Sequence, residues 1–308
     1  MSLQRARLPD GSTPSLPPGP VPCFDLVDWV GEPFELPCDD PWLDGGGDAA
    51  HAYLDAAARG WDDHPEWMDF LDEDSPVHDL KLAERDLYLH HWTEALDASR
   101  VMDVGCGIGR FSLPFLDRDA TVWAVDGDLQ SLQRLVWHAA GRAGRLQVSW
   151  SSVRQLPDVS DLDVIISAEV LCYVPEAEEV LAELTRRLRP GGKLLLSWEA
   201  AWGWATAEDA PAEALELALK GEGVLDLPGD RWVRVVSDTT LAAMLESAGL
   251  VVDDIIPTHY TADGPLERTL SSDLSLEELL EIEARCRTHP VWAPLNRIWT
   301  ATAHRPGS

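Results

Sequence analysis

The chain has 308 residues, with 54 Asp and Glu against 24 Lys and Arg, a formal net charge of −30 and an apolar fraction of 45%. That length and apolar content suit one large domain with appendages and a substantial core, so the acidity does not signal disorder. It does argue against nucleic acid and anionic membrane as partners, because both need basic patches.

The first 80 residues hold 18 acids against 3 bases, about half of the whole excess. Residues 8–47 are rich in Pro, Gly and Asp, so the segment 1–48 is expected to be largely irregular. The two arginines near the start are not followed by an apolar stretch of secretory length, and no run approaches a membrane span. Five scattered cysteines (Cys23, Cys38, Cys106, Cys172, Cys286) form no CxxC pair or Cys/His cluster, so no metal is expected. A soluble, cytoplasmic protein follows, with a Cys23–Cys38 bridge the minor alternative.

Residues 49–98 turn helical and read as a lid or substrate cap. Leu80 to Trp92 places apolar residues on one face at spacings of three and four. From residue 99 to 308 strands alternate with helices. Strands are predicted at 101–104, 121–125, 146–150, 162–167, 193–198, 250–256 and 297–304, and helices at 129–140, 177–188 and 239–248. Insertions at 199–237 and 258–296 carry helical patches such as 276–286. This spacing predicts an α/β fold, a doubly wound, mostly parallel seven-stranded sheet flanked by helices.

The strongest local signal is Val101-Met-Asp-Val-Gly-Cys-Gly-Ile-Gly-Arg-Phe111. A buried strand ends in an acid-bearing turn, Gly105, Gly107 and Gly109 follow, and then a helix. Glycines serve where backbone approaches a ligand or takes conformations that a Cβ forbids. A dinucleotide site would need its third glycine where Arg110 stands, and no G-K-[ST] completes a phosphate loop. Asp126 ends the next strand, 21 residues beyond Gly105, where a carboxylate accepts both hydroxyls of a ribose. A nucleoside without pyrophosphate fits this pattern; a bare strand-to-helix turn is the plain alternative.

The residues from Asp103 to Gly109, Asp126 and the turn Leu188-Arg-Pro-Gly-Gly-Lys-Leu194 together resemble the class I, Rossmann-like S-adenosylmethionine (SAM) dependent methyltransferases. The likeness extends to residues 162–175 and 240–249, and does not cover residues 1–80. It implies SAM as cofactor and S-adenosylhomocysteine as product. Gly105, Gly107 and Gly109 would line the methionine side, with Asp103 orienting its amino group and Asp126 holding the ribose. Gly127, Ser152 and Val153 fall at adenine-side positions. Gly127 stands where an apolar residue is usual and Ser152 where Asp is common. Glu169 would approach the methionine end.

Methyl transfer from a sulfonium is an in-line displacement that needs alignment and, for some acceptors, proton removal. Tyr173 and His259 are the catalytic candidates, each also readable as a packing or loop residue. Glu199 at a strand exit is a further candidate for the acceptor side, and His90 or His91 for the lid. Trp29, Trp42, Trp61, Trp67, Trp92, Trp202, Trp204, Trp232 and Trp292 fall in the parts expected to form the acceptor pocket, or else plug an irregular lid. The expected reaction is SAM-dependent methylation of an O or N atom of a small, neutral or cationic organic molecule. A methyltransferase acting on a peptide or protein side chain and a non-catalytic SAM-binding protein are the alternatives.

Overall fold

The computed structural model describes residues 24–25, 70–71, 73, 75, 78–127, 129–139, 141–206, 212–226, 232–261, 266 and 275–307. The irregular segment expected at 1–48 therefore lies outside the described residues apart from the short strand β1 (Phe24–Asp25). So do Cys23 and Cys38, most of the expected cap before residue 78, and Trp29, Trp42, Trp61 and Trp67.

The expected sheet is present. Its strands are β2 (Arg100–Val104), β3 (Thr121–Asp126), β4 (Arg145–Trp150), β5 (Leu162–Ser167), β6 (Leu188–Glu199), β9 (Val251–Thr258) and β10 (Ile298–His304), in the order β1-β4-β3-β2-β5-β6-β10-β9. Strands β2 to β6 pair in parallel, while β10 runs antiparallel to both β6 and β9. β1 adds an antiparallel two-residue edge to β4. Sequence order reverses direction on either side of β2 and β5, which opens a crevice at their carboxyl ends.

Alternation along each strand divides the core between the two faces of the sheet. Val101, Val122, Ala124, Val148, Val164 and Ile166 pack with α1 (His78–His91), α2 (Ser112–Leu116) and α3 (Leu129–Ala139). Met102, Val104, Val125, Ile165, Leu194 and Leu196 pack with α4 (Ala177–Arg187) and α7 (Asp238–Ser247) on the other face. The first insertion holds α5 (Ala201–Ala205) and α6 (Ala212–Lys220), as the helical patches suggested. It also holds an antiparallel hairpin, β7 (Gly223–Asp226) with β8 (Trp232–Val235), which the periodicity did not announce. The second insertion contains α8 (Leu276–Thr288), started by a capping box between Ser275 and Glu278.

Candidate active site

The glycine loop leaves β2 with three residues in left-handed backbone, Gly105 (φ 73°), Gly107 (φ 52°) and Gly109 (φ 98°). The three glycines answer different demands. A Cβ on Gly105 would lie 2.2 Å from Val170 Cγ2, and one on Gly109 would lie 2.3 Å from Leu135 Cδ1. At Gly107 it would meet nothing within 4 Å, so this turn faces open space. Gly105 N–H and Cys106 N–H donate to the Val125 carbonyl, which ties the loop to the end of β3. Gly107 N–H donates to Asp126 Oδ2 at 2.7 Å. The second-strand acid and the glycine loop thus form one wall.

Asp103 lies behind this wall, 2% exposed, accepting from Ser112 Oγ at 2.6 Å. Burial pushes its carboxyl up to about 6, with the Ser112 hydrogen bond and Arg110 pulling the other way. Ser151, which follows β4 and donates its N–H to the Asp126 carbonyl, is buried with no hydrogen-bond partner for its hydroxyl. The Ser167 hydroxyl at the end of β5 is in the same condition. Buried polar atoms without partners are rare, and both serines stand at the carboxyl end of the sheet, where the glycine loop leaves β2. Ser152 and Val153 sit one step beyond. Ser152 Oγ accepts from Arg154 N–H in a local turn, and Val153 is partly buried against the core.

Two non-glycine residues at the same end of the sheet also have left-handed backbone, Glu169 (φ 58°) after β5 and His259 (φ 62°) after β9. Glu169 anchors its N–H on Ser197 Oγ at 2.8 Å. Its Oε1 accepts from Tyr88 Oη at 2.9 Å and from Arg110 at 2.7 Å. Burial raises the Glu169 carboxyl, but Arg110, Lys81 and His259 outweigh it and hold it well below the usual range. His259 is fully buried. Its Nδ1 lies 2.9 Å from Thr258 Oγ1, its ring centroid is 4.4 Å from that of Tyr88, and its Nε2 has no hydrogen-bond partner. Burial lowers its pKa, against the raising pull of Glu84, Glu283 and Glu169, which favours the neutral imidazole.

A second buried cluster closes the β6 side. Glu199 is 1% exposed and accepts from Tyr173 Oη at 3.2 Å and Trp204 Nε1 at 3.1 Å. It also pairs with Arg297, whose guanidinium lies 4.4 Å over the Trp204 ring. Tyr173 is therefore a phenol donating to a carboxylate. Trp92, among the residues expected to shape an acceptor pocket, instead packs into the core, stacked on Tyr88 at 5.1 Å. His90 is exposed, and His91 accepts from Arg287 at 3.0 Å.

The predicted cofactor-side residues and Tyr173 lie at the carboxyl ends of the parallel strands or in the loops that follow them, His259 follows the antiparallel-paired β9, and His90 and His91 end α1. Those that sequence reasoning passed over are Glu84, Tyr88, Ser151, Ser167, Ser197 and Arg297. Glu84 left one readable trace, an acid on the apolar stripe of α1 beside Leu80, Leu87 and Tyr88.

A glycine loop joined to a strand-end carboxylate on a sheet of this order suits a nucleoside ligand, and comparison with known proteins narrows the class. Residues 102–196 match the methyltransferase domain family. The ubiquinone biosynthesis O-methyltransferase of Aeromonas salmonicida is 26% identical over 201 residues, 63% of this chain and 80% of that protein. A SAM-dependent methyltransferase from Mesorhizobium loti superposes with a TM-score of 0.52 at 18% identity, covering 72% of this chain and 98% of the other. The 1,6-didemethyltoxoflavin-N1-methyltransferase of Burkholderia thailandensis, solved with 1,6-didemethyltoxoflavin and S-adenosylhomocysteine, gives 0.52 at 17% identity, covering 88% and 94%. Residues 102–196 thus carry a methyltransferase domain, the sheet has the fold of the SAM-dependent methyltransferases, and SAM is the cofactor of proteins of that kind.

Proposed function

We propose that this protein methylates an O or N atom of a small organic metabolite at the expense of SAM. The observation that carries the reading is the wall formed by Gly107 N–H and the Asp126 carboxylate, with open space in front of Gly107. Exposed loop backbone next to a carboxylate, with two partnerless buried hydroxyls at the same end of the sheet, fits a nucleoside with a polar tail. When bound, SAM supplies an activated methyl group on a sulfonium.

Gly105, Gly107 and Gly109 would hold the methionine side, with Asp103 orienting its ammonium from behind the loop and Glu169 bordering it. Asp126 would hold the ribose, and Gly127, Ser152 and Val153 the adenine, with the Ser151 hydroxyl beside them. His259 is the group we assign to proton removal. With the Thr258 hydroxyl donating toward the Ile298 carbonyl, His259 Nδ1–H donates to Thr258 and the bare nitrogen is Nε2. Tyr173, bonded to Glu199, positions the acceptor as a hydrogen-bonding wall rather than as a base. A small-molecule acceptor is supported by the names of the Aeromonas and Burkholderia relatives and by the absence of basic patches expected from the charge balance.

Calorimetry with SAM, S-adenosylhomocysteine and NAD tests the cofactor reading, with binding expected for the first two. Binding of NAD without SAM would sink it. Asp126→Asn keeps an acceptor for Gly107 N–H while removing the charge, and is expected to weaken S-adenosylhomocysteine by about ten- to a hundredfold. Conversion of SAM to S-adenosylhomocysteine in the presence of phenols and of amines then reports the acceptor class.

A further inference from the structure

Arg110 directly follows the glycine loop, and its side chain is 13% exposed. It reaches two carboxylates on different elements, Glu84 Oε1 on α1 at 2.8 Å and Glu169 Oε1 after β5 at 2.7 Å. Its guanidinium lies 4.8 Å from the centre of the Phe111 ring. On α1, Lys81, Glu84 and Tyr88 share one face at spacings of three and four, with Glu84 and Tyr88 buried. Lys81 pairs with the other oxygen of Glu84 at 2.7 Å, and Tyr88 donates to the same Glu169 oxygen that Arg110 holds. Two cations and two carboxylates close a charge-balanced network across α1, the glycine loop and the loop after β5, with Ser197 on β6 holding the Glu169 backbone.

A network of this kind is a poor choice for stability alone, since well-packed apolar residues of similar volume do as well or better. What it adds is geometry. Arg110 is one peptide bond from Gly109 and three residues beyond the open turn at Gly107. The left-handed Glu169 is held by the same guanidinium. α1 lies outside the matched methyltransferase domain, yet its buried face is fixed by the loop that this domain uses for its ligand.

We propose that Arg110 is a positioning residue that couples occupancy of the glycine loop to the seating of α1 as a cap over the site, acting through Glu84 and Glu169. A ligand that settles the loop settles Arg110, and Arg110 then holds α1; a loop left mobile loosens it. The inference rests on the cofactor reading above and deepens it by assigning how the cap senses the cofactor.

Hydrogen exchange of the full-length protein, with and without S-adenosylhomocysteine, tests it. In the wild type the ligand is expected to slow exchange about tenfold both at residues 103–111 and in α1. In Arg110→Met the slowing at 103–111 is expected to persist, at a ligand concentration raised to offset an affinity about tenfold weaker, while the slowing in α1 disappears. A merely structural Arg110 would raise exchange everywhere and leave the two responses in step. Persistence of the α1 response in Arg110→Met would overturn the proposal, as would a wild type that binds ligand without slowing α1. A wild type that binds no S-adenosylhomocysteine would overturn the cofactor reading itself. Should Arg110→Met fail to fold, Tyr88→Phe removes only the hydroxyl bond to Glu169. It is expected to weaken the α1 response several-fold, and an unchanged response would overturn the coupling.

Discussion

Gly107 and Gly109 stand two residues apart and are irreplaceable for opposite reasons. Alanine at Gly109 would drive a methyl into Leu135, so Gly109→Ala is expected to cost about 2–3 kcal/mol of stability, measured by denaturant unfolding. Alanine at Gly107 meets no protein atom and pays only about 1 kcal/mol for its left-handed backbone. That variant should fold and lose affinity for S-adenosylhomocysteine; unchanged affinity would mean that the open space is not the ligand's. Asp103 adds a pH dependence. Its carboxyl is raised to about 6 by burial, so the cofactor-free protein binds a proton there between about pH 4 and 6 and loses stability as pH rises through that window. An ammonium partner needs the ionised form. Affinity for S-adenosylhomocysteine is therefore expected to fall about tenfold between pH 7 and pH 5, beyond any change shown by Asp103→Asn. These positions were legible in the sequence because few residue types tolerate their backbone or their place in the motif. The partners of Arg110 were not, because Glu84 and Glu169 lie 26 and 59 residues away and only the closed fold brings them together.

Among the elements, legibility follows length and burial. The central parallel strands are mostly apolar runs between turn residues, and the strands were placed within a few residues, with β6 beginning earlier than expected because its Arg-Pro-Gly-Gly turn joins the ladder. The β7–β8 hairpin was missed. Each strand has four residues, and Val224 is exposed while Leu225 is buried, so no periodic signal accumulates. The Glu199 cluster, which joins β6, α5 and the approach to β10, makes a test at this scale. Glu199→Leu leaves Arg297 buried beside Trp204 without its counter-charge and is expected to cost about 3–5 kcal/mol. The double variant Glu199→Leu/Arg297→Met should recover at least half of that, and a purely additive cycle would show that the pair does not interact.

For the molecule as a whole, the doubly wound, mostly parallel sheet followed from the alternation of strand and helix. The seating of α1 on the glycine loop did not, because charge-balanced burial has no sequence period. A net charge of −30 sets up self-repulsion that salt screens. Raising sodium chloride from about 0.05 to 0.5 M is expected to raise Tm by several degrees, and a fall in Tm would show that attractive surface pairs outweigh the net repulsion.

The position of β10 bears on how the protein is made. It comes last among the described strands, yet it fills the gap between β6 and β9 and pairs seven residues with each. Until it leaves the ribosome, two neighbouring strands each present an open edge to the cell, and the half of the sheet that carries Glu199 and His259 has no closing member. The nascent protein thus holds the β6–β9 side of its sheet unfinished while the glycine loop, made some 190 residues earlier, is already complete. A chain cut after Arg297 should fail to yield soluble enzyme, although every residue of the cofactor loop is present.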